Sequence, residues 1–136
     1  MRFARLTLPV TFALAIFTGS TTSFAWDAML TCRFEESRGY RIESGRVVHE
    51  DGHSEDESVF ADLDSSTPTV RFSSGTPEHP GSVVRRDDTT VWLLFGASGD
   101  GIYIFTIFRD TKRIIVSLQG HPFGTLTAAI ALGQCR

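Results

Sequence analysis

Val91-Trp-Leu-Leu-Phe95, Gly96-Ala-Ser-Gly-Asp-Gly101 and Ile102-Tyr-Ile-Phe-Thr-Ile-Phe108 are consecutive. The two outer runs are made almost wholly of β-branched, aromatic and leucine side chains. Both are too short for a buried helix and read as strands. The glycine-rich piece between them reads as the loop of a β-hairpin. The hairpin is apolar on both faces. Ile102, Ile104 and Phe108 share one side of their strand, and Tyr103, Phe105 and Ile107 share the other. An antiparallel sheet with one solvated face is polar on that face. The second face of this hairpin is therefore covered by closure of a barrel, or it meets a ligand or partner. Trp92, Leu94, Tyr103, Phe105 and Ile107 are the candidate binding surface, with the loop 96–101 at its tip.

Outward from the hairpin the chain keeps a period of two. Leu30, Cys32 and Phe34 alternate with Thr31 and Arg33, and Tyr40 and Ile42 with Arg41 and Glu43. Val47-Val48, the run Val59, Ala61 and Leu63, the pair Val70 and Phe72, and Arg113 to Leu118 add further strands. Thr76-Pro-Glu-His-Pro-Gly81 is a breaker cluster that excludes a central strand. Leu126, Ala128, Ile130 and Leu132 alternate as in a strand, although the alanines of that segment also permit a helix. The expected fold is all-β: a small antiparallel sandwich or barrel of about eight or nine strands.

The chain begins with the basic Met1-Arg-Phe-Ala-Arg5, an apolar run to Phe17, and small polar residues ending Ser23-Phe-Ala25. That order predicts a signal peptide over 1–25, cleaved after Ala25, and a β domain over 26–136, either periplasmic or secreted. Cleavage leaves 111 residues. Loss of Arg2 and Arg5 lowers the thirteen basic residues to eleven against sixteen acids, a net charge of −5. That balance argues against a nucleic-acid partner and against an anionic membrane surface. No apolar stretch long enough to span a membrane follows residue 25.

Cys32 and Cys135 stand near the two ends of the mature chain. In an oxidising compartment a pair in so small a domain predicts a disulfide. Closing a loop of roughly 100 residues is worth about 4–5 kcal/mol in the chain-entropy model. A redox or zinc role for the pair has no C-x-x-C spacing to support it.

Candidate chemistry is sparse. His49-Glu-Asp-Gly-His53 begins an acidic stretch that reads as a solvated loop, yet His49, Glu50, Asp51 and His53 are the best candidates for a metal. His79 and His121 each stand beside a proline. Ser98 lies in a hairpin loop without G-x-S-x-G spacing or a following helix. No catalytic residues and no cofactor are indicated. The chain reads as a non-catalytic exported module that binds a protein or a small apolar ligand, with a homodimer as one form of partner. A metal-binding protein, an enzyme inhibitor and a hydrolase with an unrecognised site are the alternatives.

The mature region resembles a group of small secreted bacterial proteins of unknown function. The shared pieces are the leader, the early Cys32, Phe60-Ala-Asp62, the apolar hairpin from Thr90 to Arg109, and the terminal Gly133-Gln-Cys135. Leu132 stands where that group often has an aromatic. The resemblance implies a compact β fold closed by a disulfide, and no activity. Size, export and a disulfide are also shared with small periplasmic lysozyme inhibitors, whose Ser-x-Gly-x-x-Tyr loop has no clean counterpart in Ser98 to Tyr103.

Overall fold

The computed structural model describes residues 25–52, 57–73, 76–97, 100–121 and 125–136. Most of the expected leader, together with His53 and Ser98, lies outside the described residues. The strands are β1 (Met29–Glu43), β2 (Arg46–Gly52), β3 (Glu57–Ala61), β4 (Thr69–Arg71), β5 (His79–Pro80), β6 (Ser82–Arg86), β7 (Thr90–Gly96), β8 (Ile102–Phe108), β9 (Arg113–Gly120) and β10 (Thr127–Cys135). All pairings are antiparallel, in the order β5-β4-β3-β1-β10-β9-β8-β7-β6, with β2 on β1. The first and last strands of that order, β5 and β6, follow one another in sequence across Gly81, and the sheet curls into a nearly closed barrel. Gly81 donates its N–H to the Pro68 carbonyl at 2.8 Å, and a Cβ there would overlap the Phe95 ring. The seam thus needs a residue without a side chain.

Phe60, Phe95 and Phe105 meet edge to face in the interior, with centroids 5.0–6.3 Å apart. Leu30, Leu63, Val70, Val91, Leu93, Ile107 and Ile114 surround them. Cys32 and Cys135 face each other across β1 and β10 and form the expected disulfide. The segment after residue 126 is strand, not helix, because β1 and β9 pair with it on both sides.

Three features depart from the expected pattern. The two strands read around Cys32 and Tyr40 are one fifteen-residue strand, β1, with a bulge between Phe34 and Glu36. Its lower half pairs with β3 and its upper half with β2, which projects beyond the barrel. β6 was hidden beside the breaker cluster. His49, Glu50 and Asp51 belong to the strand β2 rather than to a loop.

The two ends of the barrel differ. At the lower end the Trp26 ring is 5% exposed and plugs the floor together with Leu63. The Trp26 N–H donates to both carboxylate oxygens of Asp64, at 2.9 and 3.0 Å, and the Arg109 guanidinium lies 4.9 Å from the ring centroid. Lys112 pairs with Asp27. The upper end opens between β1, where β3 leaves it, and the strands β4 and β8.

Candidate functional site

The register across β7, β8, β9 and β10 aligns Trp92 with Thr106, Ile115 and Leu132. The next row holds Leu94, Ile104, Ser117 and Ile130, and the third Gly96, Ile102, Gln119 and Ala128. All of these point away from the interior, since their alternate neighbours Leu93, Phe105, Val116 and Cys135 are buried. The face is apolar: Trp92 is 41%, Ile130 49% and Leu132 47% exposed. Arg113, one row below, is the charged side chain on the outward side of β9, at the lower border, and Glu35 lies 3.4 Å from it. Strand spacing and rise make the patch roughly 20 Å by 20 Å. Val84, at the bulge in β6, extends it, and the Arg85 guanidinium lies 5.7 Å from the Trp92 ring centroid at that border.

β10 explains why this wall is apolar outside. Its inward positions are the small Thr127, Ala129, Ala131 and Gly133, and its outward ones are Ala128, Ile130 and Leu132. A Cβ on Gly133 would collide with the Arg33 carbonyl, and one on Gly39 would stand 3.4 Å from the Cβ of Ala129. The adjacent strand β1 thus leaves no room for a side chain at Gly133, and the large aliphatic side chains of β10 project outward.

The expected binding surface divides between the two faces. Trp92 and Leu94 lie on the outer patch. Tyr103, Phe105 and Ile107 face inward, with Phe105 and Ile107 fully buried. The register sets this division: Trp92 stands opposite Thr106, whereas Tyr103, Phe105 and Ile107 stand opposite Phe95, Leu93 and Val91.

Tyr103 and Phe105 instead reach a second feature, a cavity of about 320 Å³ at the open upper end. Phe34, Phe72, Val116, Ala131, Ser37 and Ser58 complete its walls, and Glu36 stands at its edge. The Phe72 ring lies 5.0 Å from Tyr103 and 6.1 Å from Phe105. Ser58 donates its hydroxyl to the Phe72 carbonyl at 3.2 Å. Burial pushes the Tyr103 phenol upward from its ordinary range, so it stays a neutral donor.

Of the metal candidates, His49, Glu50 and Asp51 are described. His49 and Asp51 share one side of β2, with His49 Nε2 3.2 Å from Asp51 Oδ1. Glu50 points to the other side and pairs with Arg41. Among the described residues no three His, Cys, Asp or Glu side chains converge as a metal site. The Arg41 Nε lies 3.1 Å from a Glu43 oxygen without hydrogen-bond alignment, so that contact is an ion pair only.

His121 and Asp100 form a small polar latch at the upper end. The His121 N–H donates to Asp100 Oδ1 at 2.8 Å, and Nδ1 lies 3.0 Å from Oδ2. These bonds hold the Asp100 carboxyl below its ordinary range. His79 packs 5.5 Å from the Phe72 ring. Among the described residues no helix is long and apolar enough to cross a membrane. Comparison of the chain with protein-family models, curated proteins and solved structures gives no match.

Proposed function

We propose that this protein is an exported, non-catalytic β-barrel module that docks a protein partner through the outward face of β7 to β10. The observation that carries this reading is a nearly charge-free patch around Trp92, Leu94, Ile104, Ile130 and Leu132 on a folded barrel. Interface centres are depleted of charge and enriched in aromatic side chains, with polar and charged groups at the rim. Arg85 and Arg113 border the patch in that way. A patch of a few hundred Å² suits a transient contact, or the centre of a larger one. The disulfide fits an oxidising compartment, and the leader supplies the route.

A photo-crosslinking residue at Ile130, carried by the exporting cell, tests the reading. A discrete adduct is expected there and none from the same residue at Arg71, on the polar wall of β4. An adduct of twice the chain mass identifies a second copy as the partner. Equal, diffuse labelling at both positions removes the proposal.

A second reading is favoured by the upper cavity, whose volume falls within the range of small-ligand sites. An engineered apolar cavity of about 150 Å³ already holds benzene. A neutral ring compound with one hydroxyl would meet Phe72 and Phe105 with its ring and Ser37 or Tyr103 with its hydroxyl. Titration calorimetry with 2-naphthol, on the mature protein and its Phe72→Ala variant, tests it; no heat from either ends it.

A further inference from the structure

The contact between the Trp26 nitrogen and Asp64 is over-supplied with acceptors. An amide nitrogen carries one hydrogen, yet both carboxylate oxygens stand within 3.0 Å of it. One hydrogen must be shared between two oxygens. An ammonium at the same point carries three, and could give each oxygen its own bond. Trp26 is also the residue at which the sequence places the new chain start. We propose that cleavage of the Ala25–Trp26 bond creates an N-terminal ammonium that Asp64 grips, so that processing itself ties the chain start into the barrel floor. The proposal rests on the export reading above.

The chemistry is a hydrolysis. A signal peptidase adds water across the amide. The Ala25 carbonyl carbon gains the hydroxyl oxygen and leaves as a carboxylate with the leader. The Trp26 nitrogen gains protons and becomes –NH3+ at neutral pH. Nothing is oxidised or reduced. Because the Trp26 side chain is almost fully buried in the folded barrel, cleavage comes before folding, on the extended chain. Folding then carries the new terminus to Asp64 in the loop between β3 and β4.

The Asp64 carboxylate in direct contact favours the charged form, against the like charge of the Arg109 guanidinium nearby. Asp64 faces the nitrogen directly. Asp27 follows in sequence and is held by Lys112. Arg109, from the loop between β8 and β9, stacks on the Trp26 ring and donates to the Asp88 carbonyl at 2.9 Å. In the uncut chain Arg109 also donates to the Ala25 carbonyl, an acceptor that leaves with the leader. Burial of the Trp26 ring fixes where the ammonium stands, so the ion pair forms without ordering a loose end. Charge-assisted bonds of this kind are roughly twice as strong as neutral ones.

The test compares two purified proteins, one beginning at Trp26 and one retaining Ala25. The unfolding equilibrium constant of the Trp26-first protein is expected to be about tenfold smaller at pH 7. Asp64→Asn should close that gap. A raised ammonium pKa means the advantage is present at neutral pH and lost as pH rises through it, above the ordinary α-amino range of about 7.7–8.0. A second measurement does not depend on stability. Acylation of the terminal amine at pH 8 should be several-fold slower in the Trp26-first protein than in its Asp64→Asn variant. Equal unfolding constants for the two starts, or a gap that survives Asp64→Asn, overturn the ion pair. Terminal sequencing of the exported protein keeps the premise separate: a start other than Trp26 overturns the role of processing even if the purified proteins behave as expected.

Discussion

The floor and the mouth of this barrel are built from similar material and put to opposite uses. Both ends have aromatic side chains facing inward. At the floor Trp26 is sealed by Asp64 and Arg109, and the disulfide ties β1 to β10 nearby. At the mouth Phe34, Phe72 and Tyr103 leave a cavity. The difference lies in polar and covalent partners rather than in hydrophobicity. One end is closed by contacts between residues far apart in sequence, and the other is open because β1 parts from β3 and runs on with β2. A domain of this size has a modest core, so links concentrated at one end let the other stay open.

The largest expected effect tests the covalent part of that contrast. Replacing both cysteines, Cys32→Ser with Cys135→Ser, removes a link between residues 103 apart in sequence. Loss of about 4–5 kcal/mol is expected in urea unfolding, a large share of the stability of a small domain. A loss under about 1 kcal/mol would mean that the floor holds by packing alone.

Next in size is the contrast between the two aromatic ends. Trp26→Ala empties a sealed site and should cost about 3–5 kcal/mol. Phe72→Ala acts on a ring already partly open to solvent and should cost about 1–2 kcal/mol. Equal losses would show that the mouth is packed as tightly as the floor.

Much of this fold was legible in the sequence, for reasons that particular residues make plain. Val91 to Phe108 gave its hairpin because both runs were short, β-rich and separated by glycines. The cysteine pair was legible from its number and from the compartment the sequence predicts. Which face of the hairpin turns inward was not, because Trp92 and Leu94 are as apolar as Leu93 and Phe105, and periodicity carries no sign. In β10 the large residues point outward, the reverse of the usual rule, and on the inner side the adjacent strand β1 leaves no room for a side chain at Gly133. Glu35-Glu-Ser-Arg-Gly39 is polar and reads as a break between two strands, whereas a bulge and the departure of β3 keep one strand continuous there. Asp64 and Trp26 are thirty-eight residues apart, and no local pattern joins them.

The outer patch gives a smaller effect and a sharper one. Ile130→Ser and Leu132→Ser change side chains that touch solvent. Each should alter unfolding stability by no more than about 0.5 kcal/mol. Phe105→Ala, on the inner side of the same wall, should cost about 3–5 kcal/mol. If Ile130→Ser proves as costly as Phe105→Ala, the patch is covered in the folded protein and cannot be a docking face.

The smallest effect concerns pH and compares one carboxylate from each end. The Lys112 ammonium beside Asp27 holds that carboxyl below its ordinary value of 3.8, first by a hydrogen bond and then by charge. Asp100 is held below the same value by hydrogen bonds from His121. A carboxyl depressed in the folded state adds stability that is present above its unfolded value and fades as pH falls through the folded one. Both contributions should therefore be intact above about pH 5 and decline below pH 4. Both sites are exposed, so the changes are small and best read by carboxyl and amide chemical shifts rather than by unfolding. In Asp100→Asn the acid-side response of the His121 amide should disappear while that of the floor remains. If it persists, the two loops at the mouth are joined by something other than this latch.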